Sequence, residues 1–217
     1  MPQVIADALR RGTAFADPKF DRIFPAQQRF RSWLHWTPLD VAVRASALLA
    51  SQRAIRVLDV GAGVGKVCLV GALTTPATWF GIERDAEMVT AARAAAIKLR
   101  VQNRAVFTVG DVTSTDWSGF DAFYLFNPFG EHLLRGPDDA FSRREAYVSS
   151  IELTQQHLAA ARPGTRVVTY HGFGGDMPPG YELIHREPIH EDELMLWIQR
   201  PSRRRSKQLT SDRVEQP

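Results

Sequence analysis

Residues 57–65 read Val57-Leu58-Asp59-Val60-Gly61-Ala62-Gly63-Val64-Gly65, a buried strand running into three alternate glycines at the start of a helix. A side chain at those glycines would stop the backbone from approaching a ligand laid across the strand's carboxyl end. It would also clash in the tight strand-to-helix turn. The spacing separates this loop from two similar ones. The dinucleotide fingerprint needs its third glycine at position 66, which is Lys66, with the glycine one place earlier at Gly65. A phosphate-binding Walker loop needs a Gly-Lys-Ser/Thr end, whereas Lys66 is followed by Val67.

Outward from this stretch, short apolar runs alternate with segments of helical length, the pattern of a parallel sheet covered on both faces. The runs are Ile55–Val60, Thr78–Glu83, Ala105–Val109, Phe120–Phe126, Thr165–Tyr170, Tyr181–Arg186 and Leu194–Gln199. Helices are expected over Gly65–Leu73, Asp85–Arg100 and Ser142–Ala161, with a short piece near Thr113. Arg162-Pro163-Gly164 stops the last of them. Only Glu187 to Glu193 separate the final two runs, too few for a crossover helix, so the seventh strand should be antiparallel. The expected fold class is α/β: a seven-stranded, doubly wound, mostly parallel sheet ending in an antiparallel hairpin.

Upstream, Phe15, Phe20, Phe24, Phe30, Trp33 and Trp36 crowd together without strand alternation. Thr37-Pro38-Leu39-Asp40 then supplies an N-cap, a proline at the first helical position and an acid at the third. The helix that follows places Leu39, Ala42, Ala45, Leu48 and Leu49 on one face, to pack on the sheet. The chain thus divides into an aromatic-rich cap segment over 1–36, a main domain over 37–200 and a basic tail over 201–217 that is expected to be disordered.

Two acids stand at strand ends beside the glycine loop. Glu83 closes the second run, 22 residues after Gly61, where its carboxylate can accept hydrogen bonds from both hydroxyls of a ribose. Asp111, in Val109-Gly110-Asp111-Val112, follows the third run and can accept from an adenine amino group. In a doubly wound sheet these loops converge on one crevice at the carboxyl edge.

Together the glycine loop, Glu83, Gly110-Asp111 and the terminal hairpin resemble the class I S-adenosylmethionine-dependent methyltransferase family over roughly residues 37 to 199. The resemblance implies a Rossmann-like methyltransferase fold with S-adenosylmethionine as cofactor. By it, Gly61, Ala62, Gly63 and Gly65 pass the methionine portion and Asp59 sits behind the amino end. Glu83 holds the ribose, and Asp111 with Val112 holds the adenine. Trp36-Thr37-Pro38 closes over the cofactor, with Thr37 in contact.

The fourth run ends in Leu125-Phe126-Asn127-Pro128-Phe129-Gly130, which resembles the motif by which amino-group methyltransferases hold a target nitrogen, although only one proline is present. The Asn127 carbonyl oxygen can accept from an amine and aim its lone pair at a methyl group, and Phe129 can pack on a planar substrate. Asn127, Pro128 and Phe129 are therefore the candidate catalytic residues, with Asn127 also able to face the cofactor. The acceptor, whether protein amine, nucleobase or small metabolite, stays open. His132 and His171 at the same edge are further candidates for a general base, each with an ordinary hydrogen-bonding role as the alternative. Cys68 reads as a small packing residue, and His185 and His190 with Glu191 lack metal-ligand spacing, so no metal site is expected.

At 217 residues, 44% hydrophobic and 24% charged, the chain has ordinary globular proportions and enough length for one good core. The single cysteine excludes an internal disulfide framework and multi-cysteine metal sites. Asp7, Arg10 and Arg11 stand where a secretory signal would need apolar residues, and no window approaches a membrane span, so a cytoplasmic location is expected. The net charge is +3, but residues 200–217 contribute +4 of it, leaving −1 on the rest. A nucleic-acid-binding face is thus not demanded of the folded body. Two other readings share parts of the pattern. An NAD-linked oxidoreductase would use the same loop and Glu83, against which Lys66 and the short final hairpin count. A non-catalytic module could use the Arg-rich tail on nucleic acid, with a salt dependence lost on truncation.

Overall fold

The computed structural model describes residues 1–13, 15–30, 36–50, 55–129 and 140–201. Seven strands form one sheet: β1 (Arg56–Val60), β2 (Thr78–Glu83), β3 (Ala105–Val109), β4 (Ala122–Phe126), β5 (Arg166–Tyr170), β6 (Tyr181–Ile189) and β7 (Asp192–Gln199). Their order is β3-β2-β1-β4-β5-β7-β6. The first five are parallel, and β7 runs antiparallel between β5 and β6. The order reverses between β1 and β4, so their carboxyl ends open the crevice where ligands bind in such sheets.

Strand alternation divides the core. Val57, Trp79, Tyr124 and Val168 face one cluster, while Leu58, Val60, Phe123, Leu125 and Val167 face another. The first is the more crowded. It takes α1 (Pro2–Arg10), α4 (Leu39–Leu49), α5 (Lys66–Thr74) and α6 (Ala86–Leu99), together with the short α2 (Asp17–Phe20) and a 3-10 turn (Asp21–Ile23), against which α3 (Ala26–Arg29) packs. The second is covered by the long helix α7 (Ala140–Ala159) and by Trp117, which stacks on His157 and Phe123.

Three local expectations give way to tertiary structure. Pro38 is the N-cap of α4 rather than its first residue, and the helix is capped from a distance: both Asp17 carboxylate oxygens accept from the Leu39 N–H, at 2.9 and 3.1 Å. Thr37 is thereby released from capping, and its hydroxyl lies 3.0 Å from the Tyr124 hydroxyl. No helix forms near Thr113, because Asp111 takes the local donors in a turn: its carboxylate accepts from the Thr113 N–H (2.9 Å) and hydroxyl (2.7 Å). The final hairpin is longer than its apolar runs, extending through Pro188 to Ile189 and restarting at Asp192. Proline is tolerated there because β6 is the edge strand, so its missing N–H deprives no neighbour. Helix α1 is amphipathic, with Ile5, Ala6, Ala8 and Leu9 buried against α5 and α6.

Candidate active site

Four loops leave the carboxyl edge side by side, after β1, β2, β3 and β4. Between them and α7 lies a cleft of about 290 Å³, lined by Gly61, Glu83, Asp111, Val112, Pro128 and Phe129 among others, with Ser149 and Leu153 of α7 on its far wall. A smaller pocket of about 40 Å³ lies under the glycine loop, lined by Thr37, Asp59, Ala62, Gly63, Lys66 and Tyr124 among others. Gly61 borders both.

The loop's glycines serve different ends. A Cβ on Gly65 (φ +78°) would stand 2.3 Å from the Phe107 ring, so this glycine lets helix and β3 meet, and it borders neither cavity. A Cβ on Gly63 (φ +55°) would meet nothing within 4 Å and would project into open space at the smaller pocket. A Cβ on Gly61 would touch Pro128 Cβ at 3.3 Å, which brings the loop after β4 against the loop after β1.

Glu83 is half-buried and held by backbone on both oxygens: one accepts from the Gly63 N–H at 3.0 Å, the other from the Asp85 N–H at 2.9 Å. A carboxylate has acceptor sites left over for two hydroxyls. Asp59 is 4% exposed, and burial pushes its carboxyl up from the ordinary 3.8 to about 7. Glu83's charge pushes the same way, and a hydrogen bond from the Cys68 thiol, 3.6 Å away, opposes both. Cys68 is thus a donor to Asp59 as well as a packing residue. Burial likewise raises the Tyr124 hydroxyl well above its usual range.

Asn127 is exposed at the rim and lines neither cavity. Its φ is +38°, and its N–H donates to the Gly172 carbonyl at 2.9 Å. His171, the residue after β5, occupies the matching position: Phe126 and Tyr170 are register partners, and His171 is also left-handed, at φ +56°. Its Nδ1 contacts the Asp192 carboxylate, and its ring lies 5.2 Å from that of Phe126. His132, Trp33 and tail residues 202–217 lie outside the described residues. His185 pairs with Glu187 at 3.1 Å and His190 with Asp40 at 2.9 Å.

The donor set fits the cofactor that the sequence implies. A buried carboxylate titrating near 7 beside an open glycine suits an ammonium group, and a cleft with an apolar floor and a fixed carboxylate suits a nucleoside. Sequence reasoning missed Lys66, Tyr124, Asp17 and Asp192. Lys66 alone carried a signal, being the one charge in a helix otherwise composed of apolar and small residues.

Residues 51–157 match the family model described as a methyltransferase domain. No curated protein matches the chain. Among solved structures, an RNA methyltransferase from Salinibacter ruber in complex with S-adenosyl-L-homocysteine is 23% identical, with a TM-score of 0.57 over 76% of this chain and 94% of that one. TrmN from Thermus thermophilus is 19% identical, with a TM-score of 0.57 over 80% of this chain and 52% of that one. A putative O-methyltransferase from Klebsiella pneumoniae is 15% identical, with a TM-score of 0.57 over 92% and 97%. At these identities the likeness is one of fold. Among the described residues, no helix is long and apolar enough to cross a membrane.

Proposed function

Because this chain carries an S-adenosylmethionine-dependent methyltransferase domain, we propose that its acceptor is an amine nitrogen held at Asn127, with the cofactor spread across the two cavities that Gly61 joins. In this reading Glu83 receives the ribose hydroxyls, Asp111 and Val112 border the adenine, and Asp59, Thr37, Ala62 and Gly63 surround the amino-acid end. S-adenosylmethionine, when bound, supplies a methyl group already activated on sulfur. The protein's own work is then mainly alignment and exclusion of water.

The arrangement that supports this is the contact between the two loops: Pro128 packs against Gly61, so the Asn-Pro-Phe turn stands directly beside the glycine loop. Asn127's N–H donates to the Gly172 carbonyl and so fixes the turn, and its side-chain carbonyl is of the type that accepts from an N–H donor. Phe129, 4% exposed, is an apolar wall of the larger cleft two residues further on. An aliphatic amine arrives protonated at neutral pH and must lose a proton before it attacks, whereas a nucleobase amino group arrives neutral and sheds its proton as the new bond forms. His171, with Nδ1 turned to Asp192, keeps Nε2 for that proton.

Calorimetry comes first: the chain should bind S-adenosylmethionine and S-adenosylhomocysteine, and not NAD or NADP. Proteins, nucleic acids and metabolites bearing amines are then screened with labelled methyl donor. Transfer exclusively to hydroxyl groups would sink the nitrogen assignment while leaving the cofactor reading intact.

A further inference from the structure

Lys66 is the first residue of α5, and it is 4% exposed. An ammonium there faces the positive end of its own helix dipole, and burying it is costly unless opposite charge meets it. Two carboxylates do, both from the N-terminal segment. Asp21, itself buried, stands 2.9 Å from Nζ, and Asp17 is in direct contact with it. Asp17 also caps α4 through the Leu39 N–H. One node therefore joins the starts of α4 and α5, one ammonium and two carboxylates.

The node reaches the smaller pocket through rings. Nζ lies 5.7 Å from the Phe20 ring centroid and 6.0 Å from that of Trp36. Phe20 meets Phe24 edge-on at 6.1 Å, and Phe24 meets Trp36 edge-on at 5.0 Å. Trp36 and Thr37 line the pocket, as Lys66 does. Nothing else in the mechanism uses this lysine, and the dinucleotide fingerprint would have glycine in its place.

We propose that Lys66 is a positioning residue for the amino-acid end of the cofactor: locked between Asp17 and Asp21, it holds the segment bearing Trp36 and Thr37 against the glycine loop. The proposal rests on the cofactor reading above. Preorganising that wall removes an ordering cost from binding, and it does so only for ligands that fill the smaller pocket.

Calorimetry of the full chain with two probes tests this. S-adenosylhomocysteine carries the amino-acid end, and 5′-methylthioadenosine has the same nucleoside thioether without it. Lys66→Met should weaken the first by at least about tenfold and change the second by less than about threefold. Lys66→Arg should recover most of the loss. Because Lys66→Met leaves Asp21 buried without its partner, the double variant Lys66→Met/Asp21→Asn, which removes both charges, should show the same selective loss in a better-folded protein. Asp17→Asn, nearly isosteric, should repeat it with Lys66 intact. Equal weakening of both probes, or of neither, overturns the proposal. So does a gain in S-adenosylhomocysteine affinity in Asp17→Asn, which would mean that Lys66 grips the ligand's carboxylate itself. A wild-type chain that binds neither probe is a different result and removes the cofactor reading instead.

Discussion

At the residue scale, Asp59 and Asn127 have opposite relations to water. Asp59 is buried, and its folded value near 7 lies above the ordinary 3.8. The native state therefore holds a proton that the unfolded chain has released, and stability falls as pH rises from 3.8 to about 7 and is level above that. At about 1.4 kcal/mol per unit, a shift of this size amounts to a few kcal/mol when the carboxyl ionises. Asp59→Asn should raise the melting temperature of the ligand-free protein at about pH 8 and flatten its pH dependence. The same change should weaken S-adenosylhomocysteine, because the ammonium loses its counter-charge. Wild-type affinity should also drop from about pH 8 to about pH 6 as Asp59 protonates. Melting curves and calorimetry across that range check both signs. Asn127, exposed, should matter to turnover rather than to binding. Asn127→Ala should lower it by about 10²-fold at unchanged cofactor affinity, and Asn127→Asp, which keeps the acceptor oxygen, should retain more activity. If cofactor affinity fell in step with activity, Asn127 would belong to the cofactor pocket.

Within single elements, the glycine loop separates steric need from conformational need. Gly65→Ala places a methyl group 2.3 Å from the Phe107 ring and 3.1 Å from Ala92 Cβ, and it also fixes an alanine at positive φ. Overpacking and the left-handed backbone together should cost ~2–4 kcal/mol in urea denaturation. Gly63→Ala meets nothing and should cost only about 1 kcal/mol from its backbone, while still weakening the cofactor because its methyl group enters the pocket. Equal stability losses in the two variants would contradict the packing of α5 on β3. The strands and the glycine loop were legible in the sequence because apolar runs and turn chemistry are local. The cap of α4 was not, since Thr37 meets the local rule for that role and Asp17, 22 positions before Leu39, performs it.

For the molecule as a whole, the N-terminal segment behaves as part of the core. Ile5, Leu9, Phe20 and Phe24 share one apolar cluster with Val57, Trp79 and Tyr124 of the sheet. Deleting residues 1–36 would strip α1 from α5 and α6 and leave Lys66 without Asp17 and Asp21. The full chain should therefore unfold in one transition, and the shortened chain should be several kcal/mol less stable, since a buried charge without its partner alone costs about 3–5 kcal/mol. Calorimetric scans of both decide it: two separate transitions in the full chain, with the later one unchanged by the deletion, would make the segment an independent cap.

The sequence by itself determined the sheet and its antiparallel ending, the glycine loop, and the acids and the Asn-Pro-Phe turn at the strand ends. Each of these follows from residues within a few positions of one another, where side-chain alternation and φ preference act directly. Only the tertiary structure decided which partner each polar group takes. Lys66 meets Asp17 across 49 positions, Thr37 meets Tyr124 across 87, and Asp40 meets His190 across 150. A buried charge must find its partner wherever the fold brings one within reach, and that distance is set by packing of the whole chain rather than by any spacing along it.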